Sequence, residues 1–171
     1  MNSVSLRPIT LADTDNIIRW RNKVKRNFIF QKDLTSAVHQ HWFEEKIKTG
    51  QVYQFIIVAD DLGKDIGSIY LRDLDQKNQK AELGIFIGDS SARGQGLGQL
   101  AIRQILVFAF EELKLNKVFL KVFADNHRAI NSYQKSGFIE DGYFKQDAFT
   151  DGQFRDLVFM SILRSDWLSY K

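Results

Sequence analysis

Ala81-Glu-Leu-Gly-Ile-Phe-Ile-Gly88, followed by Ser90-Ser-Ala-Arg-Gly-Gln-Gly-Leu-Gly98, decides how the chain is read. The first stretch alternates as a strand does. Ala81, Leu83, Ile85 and Ile87 fall on one face, and Glu82, Gly84, Phe86 and Gly88 on the other. From Leu97 to Lys114 the apolar residues Ile102, Leu106, Ala109 and Leu113 recur at helical spacing. The glycines therefore sit where a strand hands over to a helix. Gly94, Gly96 and Gly98 remove Cβ atoms, so the backbone can turn sharply and approach a ligand. The first N–H groups of a helix have no internal partners and its macrodipole is positive there, so such an end suits phosphate. A Walker loop is excluded, because Gly98 is followed by Gln99 and Leu100 rather than Lys and Ser/Thr. A dinucleotide fingerprint is excluded too: the spacing here is G-x-G-x-G, deep in the chain. On the strand, Gly84 and Gly88 predict a bulge or the close approach of something to the backbone.

The chain has 171 residues, enough for one domain over 1–171 with a full core. Its apolar fraction, 44%, and charged fraction, 26%, are those of a soluble globular protein. No apolar run approaches the ~20 residues a membrane helix needs, and Met1 to Pro8 lacks a signal-peptide pattern. Without cysteine there is no disulfide, thiolate metal site or covalent Cys nucleophile, which fits a cytoplasmic protein. A net charge of +3 is mild and makes nucleic-acid binding unlikely on charge alone.

Val4 to Ile9 predicts a first strand with Pro8 near its end or on an edge. Thr10 and Asp13 then make a capping box for a helix to about Arg21, with Ile17, Ile18 and Trp20 inward. Arg19, Arg21, Lys23, Lys25 and Arg26 form either a basic lip for an acidic substrate or a solvated helix end. Phe28 and Phe30 lie in an expected loop, where they wall a pocket or cap the core. Ser36 to Lys48 predicts a second helix, apolar at Val38, Trp42, Phe43 and Ile47. His39, His41 and His127 have no metal-ligand spacing and are expected at the surface or partly packed. A hairpin pairs 53–59 with 65–71, and strands follow at 116–124, 138–145 and 154–163. Asn126 to Ser136 is a short helix stopped by Gly137, residues 146–153 are a connecting loop, and 165–171 are a short tail with at most a helical turn. Strand 81–88, helix 97–114 and strand 116–124 make a right-handed βαβ unit with parallel strands.

The pattern Arg93-Gly-Gln-Gly-Leu-Gly98 resembles the acyl-CoA pyrophosphate loop of the GCN5-related N-acetyltransferases (GNAT). Asn126-His-Arg-Ala-Ile-Asn-Ser-Tyr-Gln-Lys-Ser-Gly-Phe138 resembles their second signature. Trp20-Arg-Asn22 and Arg155-Asp-Leu-Val-Phe-Met-Ser161 are similar to the ribosomal-protein-alanine and spermidine acetyltransferase branch. The resemblance implies an α/β fold of βααβββαβαββ order: one mixed twisted sheet of about seven strands flanked by four to five helices. It implies acetyl-CoA as cosubstrate, no metal, and direct transfer of acetyl to a primary amine in a ternary complex.

It also implies site roles. Backbone N–H groups of Arg93, Gly94, Gln95, Gly96, Leu97 and Gly98 would hold the pyrophosphate. Asn126 would bond the CoA arm, which would lie in a splay between strands 81–88 and 116–124. An N–H from Phe86, Ile87 or Gly88 would meet the thioester oxygen. Tyr133 would be the acid that protonates the departing thiolate, or else a packed aromatic. Glu82 would be the base, directly or through water, or else a charge paired to a basic neighbour. Lys135 would meet a CoA phosphate or be an ordinary helix-end lysine. Trp20, Asn22, Phe28 and Glu82 would shape the acceptor site, with Phe144, Phe149 and Phe154 from the last hairpin. Asp147 and Asp151 would draw a cationic amine, whereas the basic lip would draw a phosphate-bearing one. The acceptor is then a protein N-terminus, a polyamine or another small amine, or alternatively an amino-sugar nucleotide. A non-catalytic acyl-CoA sensor on the same fold is the rival, and a monomer or homodimer is expected.

Overall fold

The computed structural model describes residues 3–169. A mixed sheet of seven strands runs in the order β1-β2-β3-β4-β5-β7-β6. The strands are β1 (Val4–Pro8), β2 (Tyr53–Ala59), β3 (Lys64–Asp75), β4 (Lys80–Ile87), β5 (Lys117–Phe123), β6 (Ile139–Thr150) and β7 (Gln153–Leu163). The helices are α1 (Thr14–Lys23), α2 (Ser36–Trp42), α3 (Leu97–Val107), α4 (His127–Lys135) and α5 (Arg164–Ser169). The expected order is therefore the observed one, with α5 supplying the turn foreseen in the tail; the tail's residues 170–171 lie outside the described residues. Both α2 and α3 end in wide π-helical turns, closed by Lys48 N–H to Phe43 C=O and Leu113 N–H to Phe108 C=O, each 3.0 Å.

Two cores flank β4, as its alternation requires. Leu83, Ile85 and Ile87 pack on the α3 side with Leu97, Ala101, Ile102 and Ile105. Phe86 points to the other side, with Ile17, Trp20 and Ile56. The capping box forms: the Thr10 backbone N–H donates to Asp13 Oδ2 at 2.8 Å. Arg7 then ties β1 to this turn and to β3, reaching Asp13 at 2.7 Å and Asp65 at 2.5 Å. Burial pushes the Asp13 carboxyl up, but the Arg7 and Thr10 hydrogen bonds outweigh it and hold the carboxyl below its ordinary value.

Two expectations are corrected. Residues 146–153 are not a loop. Strand β6 continues to Thr150, past a bulge between Phe144 and Ala148, and β7 starts at Gln153. Asp151 (φ 50°) and Gly152 (φ 77°) form a two-residue turn whose positive φ values match strand twist. His39 is not at the surface. It is 2% exposed, with Nδ1 3.1 Å from Thr14 Oγ1, while Val38 beside it is 55% exposed. The Thr14 hydroxyl donates to the Leu11 carbonyl, so Nδ1–H donates to Thr14. Burial lowers the pKa of the ring, against the opposing charge of Asp13.

The close approach expected at Gly84 and Gly88 is there, and it is made by the protein itself. A Cβ on Gly84 would lie 2.2 Å from the Tyr70 ring, and one on Gly88 would lie 2.0 Å from Trp20 Cγ. Trp20 is thereby buried as a packing residue. Substituting Gly88→Ala should destabilise the fold by about 1–3 kcal/mol, the usual scale of overpacking. The checks are a lower denaturation midpoint and an altered tryptophan emission; an unchanged midpoint would show that Trp20 does not sit on this backbone.

Candidate active site

Strands β4 and β5 are the sheet's parallel pair, and they pair only at Lys80–Lys117, Ala81–Val118 and Glu82–Phe119. Beyond Glu82 they part, although β4 runs on to Ile87 against β3 and β5 to Phe123 against β7. The gap opens into a cavity of about 840 Å³ lined by Leu83 to Ile87 on one side and Lys121 to Phe123 on the other. That size suits a cofactor-scale ligand. The Gly88 N–H is already used by the Ile66 carbonyl at 2.9 Å. By the alternation of an antiparallel pair, Phe86 also turns its N–H toward β3. Leu83, Ile85 and Ile87 turn theirs toward the gap, and this narrows the expected oxyanion donor from 86–88 to Ile87.

At the far end of β4 the glycine segment turns under the cavity. Gly94 (φ 79°) and Gly96 (φ 78°) adopt left-handed backbone, and Gly96 caps α3. The segment is braced from behind. Arg93 Nε donates to the Ile87 carbonyl at 3.1 Å, and Asp89 accepts from the Ser91 N–H at 2.8 Å and pairs with Lys64 at 2.7 Å. Gln95 Nε2 reaches back to the Ser91 carbonyl at 2.7 Å. Gly94, Gly96, Leu97 and Gly98 face the cavity with Arg93, Arg128 and Lys135. In α3's first turn Gln99 and Leu100 donate to the Gly96 carbonyl, which leaves the Leu97 and Gly98 N–H groups without an intrahelical acceptor, and a buried Arg93 Nη2 has no protein partner. This cationic, donor-rich end fits a diphosphate.

Midway lies α4. Asn126 Oδ1 caps it by accepting from the Ala129 N–H at 3.2 Å, and Asn126 also lines the cavity. Tyr133 lines the same cavity and packs on Phe138 with ring centroids 5.9 Å apart. Burial first, and Tyr70 second, raises the Tyr133 pKa above the ordinary phenol value. At the other end stand Glu82, Arg72, Tyr70, Phe28 and Arg21. Glu82 is 8% exposed and accepts from Arg72 Nη2 at 3.1 Å through Oε1. Arg21 stacks on Phe28 at 3.7 Å, and Phe28 meets Phe86 edge-on at 5.9 Å.

Several expected site residues are not brought here. Trp20 packs on Gly88. Asn22 clamps the Leu34 backbone, donating to its carbonyl at 3.0 Å and accepting from its N–H at 2.7 Å. Gly88, Gln95, Phe144, Phe149, Phe154, Asp147 and Asp151 also fall outside the cavity lining. The hairpin aromatics pair with one another instead: Phe149 and Phe154 lie 4.9 Å apart, both exposed. Of the basic lip, Lys25 pairs with Asp33 outside and only Arg21 turns inward. Tyr70 and Arg72 were missed. Their signal was the hairpin register, which sets Tyr70 opposite Gly84 and Arg72 opposite Glu82. Among the described residues no group of three His, Asp or Glu is placed to hold a metal, and no helix is long and apolar enough to cross a membrane.

A family model described as acetyltransferase (GNAT) domain matches residues 3–139. The chain belongs to the GNAT acetyltransferases. It is an acetyl-CoA-dependent N-acetyltransferase. The putative ribosomal N-acetyltransferase YdaF of Bacillus subtilis (strain 168) is 35% identical over 105 residues, 61% of this chain and 57% of that protein. The spermidine N(1)-acetyltransferase of Vibrio cholerae serotype O1 is 28% identical over 155 residues, 83% of this chain and 89% of that protein. In structure, the Vibrio cholerae spermidine N-acetyltransferase in complex with CoA and spermine superposes with a TM-score of 0.90 at 23% identity, covering 97% of this chain and 98% of that one.

The GNAT cradle can be tested directly. A Gly96→Glu change forces a side chain into left-handed backbone and places a carboxylate where a diphosphate would sit. The dissociation constant for acetyl-CoA should rise at least about tenfold in calorimetry, on the scale of one lost charge-assisted contact; an unchanged constant would move the cofactor elsewhere.

Proposed function

We propose that the cleft transfers acetyl from acetyl-CoA to a primary amine by direct attack within a ternary complex. The observation that carries this reading is the parting of β4 and β5, which joins the glycine cradle to Tyr133 and Glu82 in one cavity. An amide-bearing pantetheine arm laid in the gap would take up main-chain groups that the missing ladder leaves unpaired. The Ile87 N–H would hydrogen-bond the thioester oxygen as charge develops there. The amine nitrogen bonds to the carbonyl carbon, the C–S bond breaks, and the thiolate takes a proton from Tyr133. The nitrogen loses its proton to Glu82 Oε2, directly or through water. Tyr133 suits the acid role because burial keeps it a neutral phenol over the working pH range.

Spermidine, the acceptor in the names of several relatives, and a ribosomal acceptor, suggested by another relative's name, are candidate acceptors here, as is a protein N-terminus. A cysteine-free chain using acetyl-CoA fits the cytoplasm, as a monomer or homodimer. The Vibrio cholerae spermidine enzyme forms a dodecamer, so assembly on this fold can go further.

Mixing the protein with acetyl-CoA and an acceptor amine should release free thiol. Tyr133→Phe should lower kcat by about 100-fold or more while the acetyl-CoA dissociation constant holds. Thiol release unaffected by that change would take the acid role from Tyr133, whereas acetyl-CoA binding without thiol release for any amine would favour the sensor reading. The raised pKa keeps Tyr133 protonated to higher pH than an ordinary tyrosine. The rate should therefore rise with pH as the amine deprotonates and then hold level, with no descending limb below about pH 10. A fall well below that pH, abolished in Tyr133→Phe, would contradict the assignment.

A further inference from the structure

The two ends of the cavity carry the same sign of charge for what must be different reasons. Arg93, Arg128 and Lys135 stand at the glycine segment, where a diphosphate accounts for them. Arg21 and Arg72 do not stand there. Arg72 is paired in register with Glu82, five residues before Ile87 on β4, so roughly 16 Å of strand separates it from the loop. A CoA phosphate held at Gly94–Gly98 leaves these guanidinium groups unused.

The protein neutralises this pair only in part, since one carboxylate stands against two guanidinium groups. Glu82 is the one carboxylate among the described lining residues, and its Oε1 is committed to Arg72 Nη2 at 3.1 Å. Asp73 is 3.8 Å from Arg72 Nε, too far for a hydrogen bond, and that Nε is buried without an acceptor. Arg21 makes no ion pair among the described residues. Its Nη2 donates to the Phe30 carbonyl at 2.5 Å, while Nη1 is buried with no acceptor. Its position is built: Phe28 lies under the guanidinium at 3.7 Å, and Phe86 backs Phe28. The Tyr70 ring, which Gly84 admits, lies 5.9 Å from the Arg72 guanidinium. Two cations, two buried donors lacking acceptors and one carboxylate therefore meet at the acceptor end. Arginine in that setting selects carboxylate or phosphate, and it opposes a polycation.

We propose that Arg21 and Arg72 clamp an anionic group of the acceptor, so that the acetylated substrate is a primary amine bearing a carboxylate or phosphate rather than a polyamine. The clamp rests on the acyl-transfer reading above for its position, since it is the end of the cavity left over once the cosubstrate is placed.

The experiment compares matched amines on the intact protein with acetyl-CoA: 3-aminopropyl phosphate, 4-aminobutyrate, neutral 3-amino-1-propanol and spermidine. Thiol release should give kcat/KM at least about tenfold higher for one or both anionic amines than for the neutral one, with spermidine lowest. The phosphate and carboxylate arms say which anion is meant. In Arg21→Met, which keeps the stem over Phe28, the anionic-to-neutral ratio should fall toward one through KM, and Arg21→Lys should restore part of it. Calorimetry of CoA-loaded protein provides a readout independent of turnover: 3-aminopropyl phosphate or 4-aminobutyrate should bind saturably, and about tenfold more weakly to Arg21→Met. Thiol release with spermidine or the neutral amine at rates equal to or above the anionic ones, or a ratio indifferent to Arg21→Met, overturns the clamp and leaves acyl transfer standing. Anion binding that depends on Arg21 without thiol release from any amine supports the clamp and removes the transfer reading. Absence of anion binding in the folded, CoA-competent wild type overturns the clamp.

Discussion

Strand β4 keeps β3 as a neighbour along most of its length, but it keeps β5 only from Lys80 to Glu82. Beyond that point every second residue on each facing edge carries a main-chain donor and acceptor that a continuous sheet would have paired. Leaving such a group buried and unmet costs about 1–3 kcal/mol, so the gap has to be wet or filled by something with amides of its own. Because the two strands are parallel, both reach their carboxyl ends on the same side of the sheet. Helices α3 and α4 follow them directly, so two helix N-termini open on the same mouth. The parting thus creates an unpaired backbone and a positive rim in one step.

The glycines divide by the job each does. Gly94 and Gly96 hold left-handed backbone that a Cβ would strain, and the space around each is open or nearly so. Gly67, Gly84 and Gly88 are crowded instead, by the Phe86 carbonyl, the Tyr70 ring and the Trp20 ring. The first group shapes a surface for a ligand. The second lets β3, β4 and α1 close on one another, and by admitting the Tyr70 ring over Gly84 it also sets one wall of the acceptor end.

The same distinction explains how much could be read from residues alone. The alternation over 81–88 and the helical spacing after it placed the central βαβ unit, since periodicity records which face is buried whatever lies beyond it. The glycine loop was legible as a strand-to-helix turn from local spacing, and Tyr133 and Asn126, which came from the family resemblance, line the same cavity. Trp20 and Asn22 were misplaced because an aromatic or an amide at a helix end has the same signature whether it faces a cavity, Gly88 or the Leu34 backbone. Arg72 and Tyr70 were invisible because their meaning lies in cross-strand register, a non-local fact. The hairpin at Asp151-Gly152 was available in the dipeptide but was masked by polar neighbours that suggested a loop. His39 lost its surface position to the packing of α2 on α1, where Thr14 supplied the one partner that lets a polar ring be buried.

An amine nucleophile has a problem that the acceptor end is built to address. Free alkyl amines have a pKa near about 10.4, so at neutral pH the reactive form is scarce, and each unit of downward shift is about 1.36 kcal/mol toward it. A nearby carboxylate alone would worsen this by stabilising the ammonium. Here Glu82 is partly engaged by Arg72, and a second guanidinium, Arg21, faces the same space. Burial lowers the pKa of Arg21; Tyr70 opposes this, and Arg72 adds a smaller push in the same direction as burial. On the proposed reading, a bound amine in that field would be driven toward its neutral form, and Glu82 Oε2 would receive the proton. A field that disfavours a cation also calls for a counter-charge, which an anionic group on the acceptor would supply a few bonds from the nucleophile. Anchoring and activation would then follow from the same pair of arginines.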